Sequence, residues 1–434
     1  MKTPVALSPE LRRKAEWLTI GSACTGALGD VTLTDSAVII LFAAMMGAGE
    51  MFSMLTTSVM PFMNGVFLIP MAYIATRTGP HRLVVWSCGV SALLYLLIVA
   101  TPFFGRLGVP VMIGSLTLFA FLHTGYLAGW FPILDTFLTP ERRGGYLSKM
   151  RFLWQLSSVL FLFVVGRLLP REPSMGQLQL ALLTAAVIFS FRTFFLSRVP
   201  VFVQEKKERF GFHDGLATAL GNKALTAYSA YLFVLNLAAY GTIPLSVLYL
   251  KNHLKAPDNI IVMISAVTFG GMLLGSLLAG RIIRKIGIRA ALLSIHGIFW
   301  LTNFSLFFIG KGGSMTYFLI TLLMLLYCFT YAASNIAVSM EMMALATPGN
   351  KIMAMAVCGT FSSLGGGLSR VITSVVLGAG ILAAEWRAGG TVFCRYQTIF
   401  LAYAAAIAFA AMLLVIVPAV VNIFLKHLSN QKET

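Results

Sequence analysis

Two aspartates inside a long apolar segment are the residues of this sequence best suited to chemistry. Asp30 and Asp35 are the only charged residues between Trp17 and Met46. A carboxylate in an apolar environment is costly when ionised, so its protonation responds to water, a bound cation or a charge partner. We therefore predict that Asp30 binds a proton or a sodium ion, or pairs with a cationic solute, with Asp35 as the second choice. The alternative is that Asp30 caps a helix end.

The spacing of the two aspartates adds a geometric expectation. On a continuous helix, five residues correspond to about 140° of rotation. The sequence therefore predicts that the two carboxylates do not face one point.

Polar side chains within other apolar segments form a weaker set of candidates. Several are spaced four or seven residues apart and so share one helix face. Such groups either line a cavity or form hydrogen bonds between helices. With the two aspartates, the predicted substrate- or ion-binding residues are Asp30, Asp35, His123, Trp130, Gln155, Asn236, Tyr240, Tyr331, Asn335 and Arg370.

Two arginines within apolar segments need a separate interpretation. Arg370 follows three consecutive glycines and suits an anionic solute, although snorkelling of its side chain to the membrane surface fits equally well. Arg192, like Asp135 and Glu341, is expected near a helix end, where a salt bridge or snorkelling would satisfy it. The glycine run Gly365-Gly366-Gly367 predicts close helix packing.

Catalytic and metal-binding patterns are absent from the sequence. Its five cysteines are scattered singly and give neither a disulfide framework nor a metal-ligand spacing. No phosphate-binding loop of the G-x-x-x-x-G-K-[ST] type and no nucleophile signature occurs. We predict no catalytic residue, no metal site and no cofactor apart from a coupling ion, either H+ or Na+.

Long apolar segments are the elements that position these residues. The chain is 58% hydrophobic and only 11% charged, whereas soluble domains carry about 25% charged residues. A bilayer core of about 30 Å is crossed by about 20 apolar residues in a helix. Twelve segments meet this length: 17–46, 55–76, 83–103, 109–138, 147–168, 177–197, 225–250, 259–283, 290–309, 315–345, 352–383 and 396–424.

The loops between these segments repeat at one offset. Arg77-Thr78-Gly79 and Lys285-Ile286-Gly287 are separated by 208 residues, and so are Thr139-Pro140 and Thr347-Pro348. Such repeats are typical of transporters built from two parallel halves, whose site lies at the interface of the halves. We predict that the halves superpose by a pseudo-twofold rotation about the membrane normal.

Basic residues are concentrated on one predicted face of the membrane. Of the 32 Lys and Arg residues, 22 are placed on the same side as both termini, Arg151 among them. An excess of Lys and Arg marks the cytoplasmic side, so both termini are predicted to be cytoplasmic. The dispersal of these charges over short loops does not favour nucleic-acid binding. The first residues lack the pattern of a cleavable signal peptide.

The repeated loops resemble a known motif. Residues 72–82 and 280–289 are similar to the signature loop of the major facilitator superfamily, which contains a Gly, an Asp-Arg pair, a second Gly and closing basic residues. Both copies lack the acidic residue, which is Thr76 in the first and Arg284 in the second. In the family this loop helps to hold the cytoplasmic gate. The resemblance therefore implies a gating role for Arg77, Gly79, Arg82, Gly280, Arg281, Gly287 and Arg289. The missing acidic contact is expected to be replaced by helix C-terminal carbonyls or by Asp135, Glu141 or Glu341.

The resemblance implies an all-α polytopic membrane protein with twelve transmembrane helices in two pseudo-symmetric halves. Residues 1–197 would form the first half, 198–224 a cytoplasmic linker and 225–434 the second half. The implied activity is secondary active transport of a small polar solute by alternating access, coupled to protons or sodium. A monomeric symporter in a bacterial-type inner membrane is expected, with a small-molecule substrate and the lipid bilayer as partners and no nucleic acid. The alternatives are a sensor or scaffold that binds a ligand without moving it and, less favoured, a membrane enzyme.

Overall fold

The computed structural model describes residues 8–138, 140–202, 211–310, 312–346 and 350–416, and almost all of these are helical. Short 3-10 and π-helical segments, Thr101–Leu107 and Tyr249–His253, follow α4 and α10. The α-helices are α1 (Pro9–Thr34), α2 (Ala37–Met45), α3 (Glu50–Thr78), α4 (Pro80–Val99), α5 (Gly108–Leu134), α6 (Pro140–Leu168), α7 (Met175–Arg198), α8 (Phe212–Gly221), α9 (Lys223–Ala239), α10 (Thr242–Leu248), α11 (Asp258–Ile286), α12 (Ile288–Phe308), α13 (Ser314–Leu345), α14 (Lys351–Gly378) and α15 (Arg395–Ile416). Strands β1 (Glu385–Ala388) and β2 (Thr391–Cys394) form one antiparallel hairpin.

Within the described ranges, ten helical segments are long and apolar enough to cross a membrane, and the bent pair α1 and α2 makes an eleventh if it is one span. Helix α14, 28 residues long, is not among them, although it corresponds to the predicted segment 352–383. Residues 417–424 of the last predicted segment lie outside the described residues, as do Thr139, Thr347 and Pro348 of the predicted repeat.

The first predicted segment is broken in its middle. Helix α1 ends at Thr34, where the Asp35 N–H still reaches the carbonyl of Val31. Ser36 then caps α2, because its Oγ accepts a hydrogen bond from the Val38 N–H. The two helices differ in direction by 47°. The break places the backbone and side chain of Asp35 at the junction of α1 and α2.

The end of the bundle where α1 begins is called the basic end here. It also holds the turns after α3 and α11, where Gly79 and Gly287 have φ of +86° and +82°. Such values favour glycine because a Cβ would clash in this region. Ring contact between Tyr73 and Phe212 (4.9 Å between centroids) and a hydrogen bond from Asn222 Nδ2 to the Leu345 carbonyl (2.9 Å) bring α3, α8, α9 and α13 together at this end.

Helices α1–α7 meet helices α9–α15 closely at the opposite end. Arg395 forms an ion pair with Glu50 (2.7 Å), and Ser374 Oγ donates to the carbonyl of Met51 (2.6 Å). The Asp258 N–H donates to the Arg171 carbonyl (3.0 Å). These contacts close the opposite end of the interface.

The glycine run of α14 packs as the sequence predicted. A Cβ on Gly365 would lie 2.3 Å from the Phe233 carbonyl oxygen, and one on Gly367 would lie 2.6 Å from the Phe62 Cα. Because no side chain fits at either position, α14 approaches both α9 and α3 at backbone distance.

Candidate functional site

A cavity of about 490 Å³ lies between the two sets of helices. Its deep part is lined by Asp35 and Tyr240, and it extends along α1, α6 and α13 toward Ala27, Arg151 and Met342. These last residues lie nearer the basic end, so the cavity is directed to that end while the opposite end is closed. Its other polar lining residues are Asp30, Thr34, Asn64, Gln155, Ser158, Ser276, Tyr331, Asn335, Ser339, Ser362 and Ser363.

Asp35 and Arg370 form an ion pair that joins the two sets of helices at the deep end of the cavity. Arg370 Nη2 donates to Asp35 Oδ1 at 2.5 Å. The guanidinium also donates from Nη1 to the carbonyls of Thr34 (3.2 Å) and Thr57 (2.6 Å), and from Nε to the carbonyl of Tyr240 (3.3 Å). Its carbon lies 4.4 Å from the centroid of the Tyr240 ring. Arg370 is therefore held by α1, α3 and α9 at once.

The depth of Arg370 decides between the two interpretations of this residue. Its side chain is only 1% exposed, whereas Asp35 is 21% exposed and faces the cavity. An arginine that snorkels keeps its charged group in water. The snorkelling alternative is therefore wrong. Arg370 does not line the cavity itself but pairs with Asp35, which does.

Asp30 is also paired, but entirely within the N-terminal helices. Arg192 of α7 donates to its two carboxylate oxygens, from Nη2 at 2.8 Å and from Nη1 at 3.3 Å. His123 of α5 places Nε2 3.1 Å from Asp30 Oδ1. The Arg192 guanidinium also lies 4.1 Å from the centroid of the Tyr126 ring. Asp30 is 29% exposed toward the cavity, while Arg192 is 2% exposed behind it.

A single glycine makes this arrangement possible. A Cβ on Gly26 of α1 would lie 1.7 Å from Nε of Arg192. The guanidinium therefore crosses α1 at Gly26 to reach Asp30 one turn further along. Of the two expectations for Arg192, the salt bridge is confirmed by its pair with Asp30, and snorkelling is wrong because its side chain turns into the core.

Both aspartates line the same cavity, contrary to the sequence prediction. That prediction assumed a continuous helix through residues 30–35. Because α1 ends at Thr34 and Asp35 belongs to the break before α2, the 100° rotation per residue does not apply across it.

The amide and aromatic candidates divide into two groups. Gln155, Tyr240, Tyr331 and Asn335 line the cavity, and the rings of Tyr240 and Tyr331 are 5.6 Å apart. Asn236 instead donates to Ser362 Oγ (3.1 Å) and to the Leu232 carbonyl (2.8 Å), beside a separate void of about 20 Å³. Its interhelical alternative is therefore the correct one.

His123 and Trp130 do not line the cavity either. His123 is 5% exposed and stacks on Phe119, and Trp130 is 5% exposed in the apolar core of the N-terminal helices, with its ring 5.3 Å from that of Tyr126. The prediction that the two residues share one helix face was correct, but that face points into the core of the N-terminal helices. His123 reaches the site only through Asp30.

Several lining residues were not among the sequence candidates. Asn64 was missed, and so were Arg151, Trp154 and Ser158, which share one face of α6 with Gln155. The spacing of four residues from Arg151 to Gln155 was a readable signal. Arg151 had instead been counted with the basic residues of the membrane surface.

Residues 18–369 match the sequence profile of the Major Facilitator Superfamily. The chain belongs to this family. Membership makes the protein a membrane transporter and not an enzyme. No curated protein sequence matches the chain.

Solved structures of major facilitator transporters share this fold. The nucleoside transporter NupG superposes with a TM-score of 0.66 at 14% identity, over 95% of this chain and 99% of that one. A POT family transporter in complex with a thioalcohol-conjugated peptide gives 0.65 at 11% identity, over 95% and 96%. A bacterial homologue of the human lysosomal transporter Spinster, inward-facing and unoccupied, gives 0.61 at 12% identity, over 96% and 97%. At these identities the likeness shows the fold alone.

The residues of the superfamily signature loop lie at the basic end. Arg77 donates to Tyr73 Oη (2.6 Å) on its own helix, and Gly79 and Gly287 end α3 and α11. The remaining predicted gate residues, Arg82, Gly280, Arg281 and Arg289, belong to α4, α11 and α12, and the three arginines are exposed. No ion pair joins any of the four gate arginines to another described residue. In this conformation the cavity is directed to the basic end, so a gate there is not engaged.

The acidic substitutes proposed for the gate are not tested by this conformation. Asp135 lies at the C-terminal end of α5, and Glu341 is buried near the end of α13. The side chain of Glu141 lies outside the described residues.

Proposed function

We propose that the protein is a secondary active transporter that moves a small polar solute by alternating access. In this proposal twelve helices form two six-helix halves, residues 1–197 and 225–434, joined by the linker 198–224. The observation that carries it is the cavity between α1–α7 and α9–α15, directed to one end and closed at the other by the contacts of Arg395 and Arg370. Alternating access requires such a site at the interface of two rigid halves.

The lining of the cavity supports a polar solute. A volume of about 490 Å³ is within the range of small-molecule sites. Amide, hydroxyl and tyrosine groups alternate on its wall with Met60, Phe269 and Met272. The similar structures include transporters described as carrying a nucleoside or holding a peptide conjugate, and both are solutes with polar groups.

Asp30 is the proposed coupling group. The carboxylate of Asp30 faces the cavity. Protonation of this carboxylate would break its ion pair with Arg192, a buried cation that needs a counter-charge. Both carboxylate oxygens already face nitrogen atoms of Arg192 and His123. A sodium ion would have to approach this cationic shell and find further oxygen ligands, so the arrangement favours a proton over sodium.

Placement in the membrane follows from charge. We propose that the basic end faces the cytoplasm of a bacterial-type inner membrane, with both termini on that side, because Lys and Arg are enriched there. We propose a monomer, because the helices of one chain are enough to enclose the central cavity.

The test is transport by the purified full-length chain in sealed proteoliposomes. A thermal-shift screen of sugars, amino acids, nucleosides and organic acids first identifies a stabilising solute. Accumulation of that solute is then measured under an imposed pH gradient and, separately, an imposed sodium gradient. Transport predicts accumulation driven by one of the two gradients and exchange at equilibrium. Binding without any flux would overturn the proposal in favour of a sensor or scaffold.

A further inference from the structure

Arg151 is a charged cavity residue that the proposed coupling does not use. It lies six residues into Gly145–Leu168, the part of α6 that is apolar enough to cross a membrane, which is about 9 Å along the helix axis. Trp154, Gln155 and Ser158 line the cavity from the same helix face. A charged residue within such a segment is costly and is a candidate for a functional role.

The other charges in the cavity are already balanced. Asp30 is paired with Arg192, and Asp35 is paired with Arg370. No described carboxylate forms an ion pair with Arg151, and the structure gives it no hydrogen bond to a described side chain or carbonyl. The lining of the cavity therefore has one uncompensated positive charge.

The groups near Arg151 add requirements for a ligand. Oε1 of Gln155, one turn deeper, is buried without a hydrogen-bond partner, so a ligand with a hydroxyl or amine would satisfy it. Trp154 and Tyr331 add aromatic surface to the lining, and Asn335 and Ser339 add further polar groups from α13. A single unpaired guanidinium matches the charge of a monocarboxylate better than that of a phosphate dianion.

We propose that the transported solute is a small hydroxylated monocarboxylate, held by its carboxylate on Arg151 and by a hydroxyl on Gln155. This assignment rests on the proposed transport function and replaces the cationic solute that Asp30 suggested. A cation would find both cavity carboxylates already neutralised by arginine. If Asp30 carries one proton per cycle, movement of one monoanion with one proton transfers no net charge.

The experiment uses pairs of probes in which a carboxylate is replaced by a neutral group. Gluconate is compared with sorbitol, glucuronate with glucose, and 4-hydroxybenzoate with 4-hydroxybenzamide, each by thermal shift of the detergent-purified full chain. The same titrations are made with Arg151→Gln, with Arg151→Lys and with Arg167→Gln. Arg167 lies on the same helix and is exposed near its other end, so its loss changes net charge equally without touching the cavity.

The expected result is stabilisation by at least one acid and not by its neutral partner. Because a hydrogen bond to a charged group contributes about 1.5–3 kcal/mol, Arg151→Gln should weaken the apparent affinity by about 10- to 100-fold. Arg151→Lys should retain part of the affinity because it keeps the charge, and Arg167→Gln should bind as wild type.

Three results would overturn the assignment: equal stabilisation by the neutral partner, affinity for the acid unchanged in Arg151→Gln, or no stabilisation by any acid of the panel. Counterflow of a neutral solute in proteoliposomes would then show that transport survives while the anion assignment fails. Absence of counterflow for every stabilising probe would instead count against transport itself.

Discussion

Replacing Asp35 by asparagine should shift the protein toward the conformation that is open at the end opposite the basic end. Asp35 is the only side-chain carboxylate, among the described residues, that pairs with Arg370, and that pair connects α14 to the break after α1. Asparagine keeps the shape but removes the charge. Arg370 would keep its contacts with the carbonyls of Thr34, Thr57 and Tyr240, so it would remain partly satisfied.

The size of the effect follows from these contacts. Removing one partner of a fully buried pair costs about 3–5 kcal/mol, and a hydrogen bond to a charged group contributes about 1.5–3 kcal/mol. Because Asp35 is 21% exposed and Arg370 keeps three acceptors, the lower figures apply. A loss of about 2 kcal/mol would change the conformational equilibrium by about 30-fold.

The assay is the labelling rate of a cysteine placed at the closed end. Met51 packs against Gly378 there, so Met51→Cys in a background without the five native cysteines should react slowly with a membrane-impermeant maleimide. Asp35→Asn should raise that rate by up to about 30-fold. The control is Glu16→Gln, which breaks the Arg142–Glu16 ion pair within the N-terminal helices, away from the closed end. Unchanged labelling in a folded Asp35→Asn protein, or an equal rise in the control, would refute the reasoning.

Three further predictions concern the N-terminal cluster and the gate. Asp30→Asn should abolish gradient-driven accumulation in proteoliposomes while sparing equilibrium exchange; accumulation with wild-type ion dependence would show that Asp30 is structural. Gly26→Ala should lower thermal stability by about 1–3 kcal/mol because its Cβ would meet Arg192, whereas Gly114→Ala, with open space around it, should not. Equal stability of the two variants would contradict the packing. Charge reversal at the gate should change maleimide labelling of cysteines introduced at the basic end, and unchanged labelling in all four variants would argue against gating by Arg77, Arg82, Arg281 and Arg289.

The sequence was most informative about local structure. The turns at Gly79 and Gly287 were found from their shared offset, and both have the positive φ that glycine allows. Gln155, Tyr240, Tyr331 and Asn335 were found from polarity within apolar segments, and all line the cavity. The same rule failed for Trp130, because a helix face directed into the core of the N-terminal helices has the same periodicity as a face directed to a cavity.

By itself, the sequence determined the class of protein, the apolar segments and the basic character of one end, since these depend on composition and on neighbours within a turn or two. Only the tertiary structure decided which charges are paired. Arg192 and Asp30 are 162 residues apart, and Arg370 and Asp35 are 335 apart, so no helical periodicity relates them. The meeting of α1 with α7 and with α14 neutralises both aspartates and leaves Arg151 as the unpaired charge of the cavity. Because pairing depends on helix packing across the whole chain, which charges of the cavity lining are paired could be read only from the fold.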